Sequence, residues 1–213
     1  MIIAGRRKEL LDHITTEHPG IEALVLDVAD PASVTRAASH PQLNVLVNNA
    51  GIMLPENLLD PASLPIAEDH VTTNLLGTIR MTYAFLPHLA TRDDAVVVNV
   101  TSALAFVPWP VTPTYNATKA ALHSFSESLR VQLAGTPVQV IEVVPPPVRT
   151  TLMGQQDDQN SKPLDEFLTE TLTLLNAHPD AKEIVVERAK FARHAEVNGT
   201  YDQVLTMLSS FKA

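Results

Sequence analysis

The sequence predicts an α/β domain in which helices cover both faces of a parallel, doubly wound sheet. Short apolar runs rich in β-branched residues alternate along the chain with longer stretches of helical periodicity, which is the pattern of strands joined by crossover helices. The runs are apolar at successive positions, so we expect strands that are buried on both faces. A length of 213 residues fits one domain, and we expect residues 1–213 to form a single unit.

Five apolar runs predict the strands, and helical patterns lie between them. The runs are residues 1–4, 23–28, 44–47, 95–100 and 138–144. A first helix is predicted over residues 9–17. The spacing of Leu76, Ile79, Tyr83 and Leu86 predicts another, which Pro87 should end or kink.

The second half of the chain contains the longest predicted helix, over about residues 115–134, which Gly135 and Pro137 close. The triple proline at residues 145–147 cannot continue a strand, because proline has no backbone N–H to donate. After a polar loop at residues 155–162, helical patterns return at 164–176 and 201–211. Residues 183–186 fit either a short last strand or part of a helix.

Composition narrows the classes of function. The formal net charge of −9 argues against nucleic acid as a partner. The chain has no cysteine, which excludes disulfides and cysteine-based metal sites. No apolar run approaches the ~20 residues of a membrane span, and the N-terminus lacks the charge order of a signal peptide. We therefore expect a cytoplasmic protein that does not bind membranes, and we interpret the eight histidines as surface or structural residues rather than metal ligands.

Tyr115 and Lys119 are four residues apart at the start of a predicted helix, so their side chains share one face. A phenol has an ordinary pKa of about 10, and a nearby ammonium favours its ionised form. The pair could therefore exchange a proton with a carbonyl or hydroxyl oxygen. In isolation, this spacing also fits a surface lysine beside a partly buried tyrosine.

Two strand ends strengthen the catalytic interpretation. Ser102 follows one predicted strand, and Asn48-Asn49-Ala50-Gly51 follows another. Ligands of open α/β sheets lie at the carboxyl ends of the strands. The hydroxyl of Ser102 could bind a substrate oxygen there, the asparagine amides could brace the strand end, and Gly51 allows close backbone approach. The asparagine motif alone would also fit an ordinary turn.

Five motifs in this order resemble the short-chain dehydrogenase/reductase family, which has a Rossmann-like fold. They are N-N-A-G at residues 48–51, N-x-x-G-T at 74–78, the strand-end serine, Y-x-x-x-K at 115–119 and P-x-x-V-x-T at 145–150. Residues 75–80, 104–108, 120–124, 129–133, the triple proline and residues 188–191 are most similar to the DltE-type oxidoreductases of that family.

The resemblance implies an NADP-dependent oxidoreductase that acts on a carbonyl or secondary alcohol. In this interpretation Tyr115 transfers the proton, Lys119 binds the nicotinamide ribose and acidifies Tyr115, and Ser102 holds the substrate oxygen. Asn74 would hold a water of the proton relay, or would simply cap a helix. The other residues that would meet the cofactor are Arg6, Asp27, Val28, Asn49, Ala50, Gly51, Pro145, Val148 and Thr150.

Arg6 indicates the form of the cofactor. It follows Gly5 at the end of the first predicted strand, where the family recognises the adenosine 2′ position. A guanidinium there can bind a 2′-phosphate with two hydrogen bonds, which favours NADP over NAD. Arg6 could instead belong to a solvated helix start, and Asp27 to a solvated strand end.

The glycine-rich turn that opens this family is absent from the sequence. The seven glycines are too far apart to form T-G-x-x-x-G-x-G, the turn that binds the pyrophosphate. The strand, turn and helix would occupy roughly 30 residues ahead of Met1. We expect an N-terminally truncated fold with a split sheet, because the family's first strand is central. We also expect the 213-residue chain to bind NADP weakly or not at all.

Other functions remain open on the sequence alone. A catalytically silent scaffold or regulatory protein would explain the missing turn, and a nucleotide-sugar epimerase or dehydratase would share Y-x-x-x-K. The resemblance implies a homodimer or homotetramer formed through the helices that begin near Asn74 and Tyr115. Trp109 could line a substrate pocket or cover the core, and the first is favoured because it lies between Ser102 and Tyr115.

Overall fold

The protein folds as alternating strands and helices around two parallel sheets. The structure, a computed structural model, describes residues 1–38 and 43–211. The strands of this part of the chain are β1 (Ile2–Gly5), β2 (Glu22–Val25), β3 (Val45–Asn48), β4 (Val96–Val100), β5 (Gln139–Val144) and β6 (Glu183–Val185). Its α-helices are α1 (Lys8–Glu17), α2 (Pro31–Ala37), α3 (Leu64–His70), α4 (Gly77–Leu89), α5 (Pro113–Gln132), α6 (Leu164–Ala177), α7 (Lys190–Arg193) and α8 (Tyr201–Ser210).

The sheet is divided, as the sequence predicts. β1 pairs with β2, while β3, β4, β5 and β6 pair in that order, and all of these pairings are parallel. Within the described ranges β1 and β3 each pair with one strand, so each has a free edge. The predicted α/β class and parallel pairing are confirmed.

One core nevertheless joins the two sheets. Leu26 follows β2 and packs in the same buried cluster as Leu46 of β3 and Phe85 of α4. The start of α4 comes so close to the segment after β2 that a Cβ at Gly77 would lie 2.7 Å from Cγ2 of Val28. Because only a hydrogen fits at this contact, Gly77 of the N-x-x-G-T motif is required by packing.

The second half of the molecule has its own buried cluster. Val144 at the end of β5 packs with Val186, Ala192 and Val204, which attaches the C-terminal helices to the sheet. Residues 183–185 form a strand that pairs with β5, which decides the alternative left open by the sequence. None of the helices in residues 1–38 and 43–211 is both long and apolar enough to cross a membrane.

The predicted helix boundaries differ from the structure at two prolines. α4 continues through Pro87 to Leu89 instead of ending there. The carbonyl that loses its partner belongs to Tyr83, whose side chain is 74% exposed, so water can reach this side of the helix. α5 begins at Pro113, two residues early, because proline is favoured in the first helical turn, where its missing N–H is not needed.

Candidate active site

The three central side chains of the predicted catalytic set meet at the carboxyl end of β4. Ser102 follows β4, and Tyr115 and Lys119 lie one turn apart on α5. The Tyr115 hydroxyl lies within hydrogen-bonding reach of Ser102, and Nζ of Lys119 is 5.6 Å from the centre of the Tyr115 ring. All three residues are buried. The structure therefore brings together the groups that the motif spacing predicts, on one face and within reach of one substrate atom.

Local structure holds Ser102 and Tyr115 in place. Oγ of Ser102 accepts a hydrogen bond of 3.1 Å from the backbone N–H of Leu104 and so caps a short 3₁₀ turn. The N–H of Ala103 donates to the carbonyl of Pro145 at 2.9 Å, which ties the end of β4 to the end of β5. Tyr115 is the third residue of α5, so its backbone is fixed by the start of a 20-residue helix.

Lys119 has the donor capacity that a cofactor ribose needs. Its Nζ donates a 2.8 Å hydrogen bond to the carbonyl of Val100, the one acceptor it meets among the described residues. An ammonium carries three N–H donors, so two remain for other oxygens. Burial lowers the pKa of Lys119 to about 8, so most of the side chain is still charged at neutral pH.

The pKa of Tyr115 differs from the sequence-based expectation. Burial raises this pKa to about 12, and the hydrogen bond from Ser102 opposes the rise only in part. Removal of the phenol from water therefore dominates the pKa of Tyr115, and the expectation that Lys119 acidifies Tyr115 stays a prediction. At neutral pH Tyr115 is a proton donor.

Asn74 lies in the middle of a helical segment rather than at its start. Residues 71–76 form a π-helical turn between α3 and α4, so the alternative of a helix N-cap is wrong. The Asn74 side chain binds the loop after β3. Its Oδ1 accepts a hydrogen bond from the N–H of Ile52 at 2.8 Å, and its Nδ2 donates to the carbonyl of Ile52 at 2.9 Å. Nδ2 also lies 3.4 Å from Oγ1 of Thr118 on α5. π-helical turns occur often at functional sites, and the role of Asn74 in a water relay stays a prediction.

The asparagine motif after β3 separates into a buried and an exposed part. Nδ2 of Asn48 donates to Oδ1 of Asn99 at 2.9 Å, and so braces the end of β3 against β4. Asn49, Ala50 and Gly51 are exposed at the same strand end, where a ligand can contact them.

The residues predicted to meet the adenosine lie on the other sheet. Arg6 is exposed at the bend after β1. Asp27 follows β2, and its Oδ1 accepts from the N–H of Ala29 at 2.9 Å in a tight turn. Val28 is half-buried against Gly77. The turn at Asp27 is thus fixed, whereas the guanidinium of Arg6 stays accessible to an anion.

The residues predicted to meet the carboxamide follow β5. Val148 forms an isolated parallel bridge with Lys162, whose N–H and carbonyl pair with Pro147 and Arg149. The bridge leaves the N–H and carbonyl of Val148 itself unused. Oγ1 of Thr150 accepts a 3.3 Å hydrogen bond from the N–H of Leu152.

A buried network beside Tyr115 was not found by sequence reasoning. The Glu56 side chain is 1% exposed, and its Oε2 accepts from Oγ1 of Thr114 at 2.6 Å while Oε1 accepts from the Thr114 N–H at 3.1 Å. Oε1 also lies 3.0 Å from Nδ1 of His70, which is fully buried. The contact fixes the first turn of α5. Two signals in the sequence could have revealed this network. Glu56 is an isolated charge in an apolar stretch, and His70 lies one helical turn before Asn74.

The same network determines the state of His70. Its Nε2 accepts a 3.0 Å hydrogen bond from the N–H of Leu54, so the ring proton lies on Nδ1 and faces Glu56. Burial lowers the pKa of His70, and the Glu56 carboxylate opposes this shift. His70 is thus a structural residue, which is one of the two roles that the sequence predicts for the histidines. His40 lies outside the described residues.

One cluster in the described part of the chain has the side chains of a metal site, namely His123, Glu142 and Glu183. Both carboxylates are already paired with arginines. Glu183 holds Arg193 through two hydrogen bonds of 2.7 and 2.9 Å, and Arg130 lies 3.6 Å from Glu142. Because the two guanidinium groups oppose a bound cation, we assign the cluster to an ion-pair network between β5, β6 and the helices above them.

Trp109 lies on the loop between Ser102 and Tyr115 and is half-buried. Its Nε1 donates a 3.1 Å hydrogen bond to the carbonyl of Phe211, just after α8. The C-terminal segment therefore reaches the loop that precedes the catalytic helix.

Comparisons with known proteins identify the family of the chain. The family model for short chain dehydrogenases matches residues 1–161. The uncharacterized oxidoreductase DltE of Bacillus subtilis is 36% identical over 221 residues, which cover 99% of this chain and 86% of that protein. The NADP-dependent 3-hydroxy acid dehydrogenase YdfG of Escherichia coli K12 is 34% identical over 151 residues, which cover 68% of this chain and 61% of that protein.

Solved structures agree as well. A short chain dehydrogenase from Burkholderia cenocepacia, determined in complex with NADP, superimposes with a TM-score of 0.81 at 26% identity, covering 98% of this chain and 85% of that one. The match of the family model to most of the chain, together with the relative at 36% identity, establishes that the chain belongs to the short-chain dehydrogenase family.

Proposed function

We propose that the protein transfers a hydride between NADP(H) and a carbonyl or secondary alcohol. The observation that carries this proposal is the Tyr115 hydroxyl within hydrogen-bonding reach of Ser102, with the buried ammonium of Lys119 beside the ring. Two hydroxyls directed at one point can both bind a substrate oxygen, one as a proton donor and one as an orienting group.

The protonation states favour the reductive direction. With a pKa of about 12, Tyr115 holds its proton at neutral pH and can donate it to a carbonyl oxygen. Ser102 would orient that oxygen, and the charge of Lys119 would stabilise the tyrosinate that remains. NADPH, when bound, would supply the hydride.

The residues on the nicotinamide side fit a dinucleotide. Lys119 has N–H donors available for ribose hydroxyls, the backbone of Val148 is unused by its bridge, and residues 49–51 are exposed at the end of β3. Arg6 supplies an accessible guanidinium for the 2′-phosphate that distinguishes NADP from NAD. Relatives that use or bind NADP support this choice of cofactor.

The pyrophosphate side lacks its usual donors, because the sequence contains no glycine-rich turn. We propose that a strand, turn and helix outside these 213 residues join the free edges of β1 and β3 and supply them. The divided sheet supports this proposal, since free strand edges leave backbone groups unpaired. The chain alone should then bind NADPH weakly or not at all, and micromolar binding in a calorimetric titration would contradict this.

The test is a spectrophotometric screen of NADPH oxidation against a panel of carbonyl compounds. It should be run on the chain itself and on a version extended by a strand, glycine-rich turn and helix. We expect turnover by the extended version and a loss of at least about 100-fold in kcat with Tyr115→Phe, which removes the proton donor. Absence of turnover in the extended version, or full activity of Tyr115→Phe, would reject the proposal.

The divided sheet also favours a second candidate, a silent scaffold or regulatory protein that keeps the fold without binding cofactor. Its signature would be an extended version that neither binds NADPH nor turns over any compound of the panel. The cytoplasmic location and a homodimer or homotetramer stay predictions. Exposed small residues on α5, Ala117, Ala120 and Ser124, are compatible with helix packing between subunits, and sedimentation of the extended version would test it.

A further inference from the structure

An open cavity of about 670 Å³ lies next to the start of the catalytic helix. Three separate segments form its walls: the loop after β3, the residues just before α5, and the last turn of α8 with Phe211. Most of the lining is apolar. The apolar lining residues are Pro55, Leu58, Leu59, Pro110, Val111 and Phe211. A volume of this size is typical of small-molecule sites.

Hydrogen bonds between the walls hold the cavity in shape. The N–H of Glu56 donates to the carbonyl of Val111 at 2.9 Å, which joins the first wall to the second. Nε1 of Trp109 donates to the carbonyl of Phe211 at 3.1 Å, which joins the second wall to the third. The cavity is therefore a built feature in which three distant parts of the sequence meet.

The lining of the cavity borders the segment that leads into the catalytic helix. Val111 precedes Tyr115 by one helical turn of sequence, and the Glu56 carboxylate binds the backbone and hydroxyl of Thr114, the residue next to Tyr115. The cavity therefore lies next to the segments that position Tyr115.

The lining presents no free charge to such a molecule. Glu56 is the charged member of the lining among the described residues, and its carboxylate is 1% exposed and engaged by Thr114 and His70. Leu58 and Leu59 are 79% and 94% exposed, so a bound apolar chain would be stabilised by covering them. The chemistry of the walls matches a hydrocarbon chain and offers no partner for a carboxylate, sulfonate or phosphate.

We propose that this cavity binds the apolar tail of the carbonyl substrate, so that the enzyme acts on carbonyl compounds with a hydrocarbon chain. The assignment of the occupant as a substrate rests on the proposed function above. The binding of an apolar chain in the cavity does not depend on the proposed function, and this binding can be measured without cofactor.

The test uses Trp109, the one tryptophan of the sequence, as a reporter next to Pro110 of the lining. The full 213-residue chain is titrated with butan-2-one, hexan-2-one and octan-2-one while tryptophan fluorescence is recorded, with pyruvate as the short charged carbonyl. We expect affinity to rise roughly fourfold for each added methylene, and thus about 250-fold from butan-2-one to octan-2-one. Pyruvate should bind no better than butan-2-one.

Three variants locate the site. Ser209→Phe places a ring into the cavity from an exposed position and should weaken octan-2-one binding at least about tenfold, with little effect on butan-2-one. Leu59→Ser removes an exposed apolar side chain of the lining and should weaken octan-2-one binding a few-fold. The matched control is Leu172→Ser, a leucine on α6 that is 59% exposed and lies outside the lining, which should change nothing. Circular dichroism verifies that each variant is folded.

The outcomes separate this proposal from the proposed function. Affinity that is independent of chain length, or equal losses in Leu59→Ser and Leu172→Ser, would overturn the assignment of the cavity. A fluorescence change that follows protein concentration instead of ketone concentration would assign the cavity to a second copy of the chain and would also overturn it. Chain-length-dependent binding without any NADPH oxidation by the extended version would leave the cavity assigned and reject the oxidoreductase.

Discussion

β2 and β5 are both apolar parallel strands in the sequence, yet they differ sharply in the folded protein. No residue of β2 is buried, and Val25 is 55% exposed. In β5 five of six residues are buried, and Val144 is fully so. β5 has a strand on each side, whereas β2 has only β1 within the described ranges. The difference teaches that burial of a strand depends on its neighbours more than on its own composition.

The two sheets also carry different groups of the predicted site residues. The sheet of β3 to β6, with α4 and α5, contains Ser102, Tyr115 and Lys119 in a packed arrangement. The sheet of β1 and β2 contains the residues predicted to bind the adenosine. It docks onto α4 through the Gly77–Val28 contact and through Arg80, whose Nη1 donates to the carbonyl of Ala29 at 3.1 Å. The adenosine half thus joins the chemical half at a junction made of these contacts and the shared buried cluster, without strand pairing among the described residues.

Hydrogen exchange should show the largest difference between the two halves. We expect the amides of β1 and β2 to exchange through local opening more than about a thousandfold faster than those of β4 and β5, because an isolated two-stranded sheet is only marginally stable. Mass spectrometry of peptic peptides at neutral pH measures both regions in one sample. Equal protection of β2 and β5 would break the comparison.

Glu56→Ala tests how firmly the chemical half is built. Removing this buried carboxylate leaves the Thr114 N–H and hydroxyl without their acceptor, and we expect a loss of about 3 kcal/mol in the free energy of unfolding. Glu68→Ala, an exposed glutamate of α3, is the matched control and should stay within about 0.5 kcal/mol of wild type in the same urea titration. A small effect of Glu56→Ala would show that α5 does not need this anchor.

Sequence reasoning reached the chemical half better than the junction. The valine run of β4 and the tyrosine–lysine spacing are local patterns, and local patterns survive folding. α2 and α3 were missed because seven-residue helices show too little periodicity, although Asp30 caps α2 by accepting from the N–H of Ala32.

The electrostatics of the site could not be predicted in the same way. The pKa of Tyr115 depends on how completely the ring is buried, which no spacing reveals. Likewise the Glu56–His70–Thr114 network joins residues up to 58 positions apart and appears only when the chain has folded. The sequence thus predicted which groups meet but not the protonation states they have when they do.

Gly77→Ala tests the junction between the halves. Helix propensity alone predicts a gain of about 1 kcal/mol, since alanine favours helices over glycine. The added Cβ would lie 2.7 Å from Cγ2 of Val28, so we expect instead a loss of about 2 kcal/mol and faster exchange of β2 amides. Gly5→Ala is the control, because a Cβ there meets nothing within 4 Å. A stabilised Gly77→Ala would mean that the two halves are not in contact at this point.

Lys119→Met should show the smallest change in the free energy of unfolding, and it should raise this free energy where Glu56→Ala and Gly77→Ala lower it. Burial costs the charged lysine free energy, which is why its pKa is about 8 in the folded protein and 10.5 ordinarily. Between these pH values the unfolded chain binds more protons than the folded one, so the free energy of unfolding rises with pH. Methionine removes the charge but also the bond to Val100, and we expect a net gain of about 1 kcal/mol at pH 7 that shrinks towards pH 9.5.

Urea titrations of wild type and Lys119→Met at several pH values between 7 and 9.5 measure this gain, with Lys182→Met as the exposed control. A gain that shrinks with pH would mean that the chemical half keeps a costly buried charge beside Tyr115, a cost that only a function of the ammonium explains. If Lys119→Met is instead less stable at pH 7, the ammonium contributes to the fold through its bond to Val100. The packed half would then owe part of its stability to the same group that is proposed to serve catalysis.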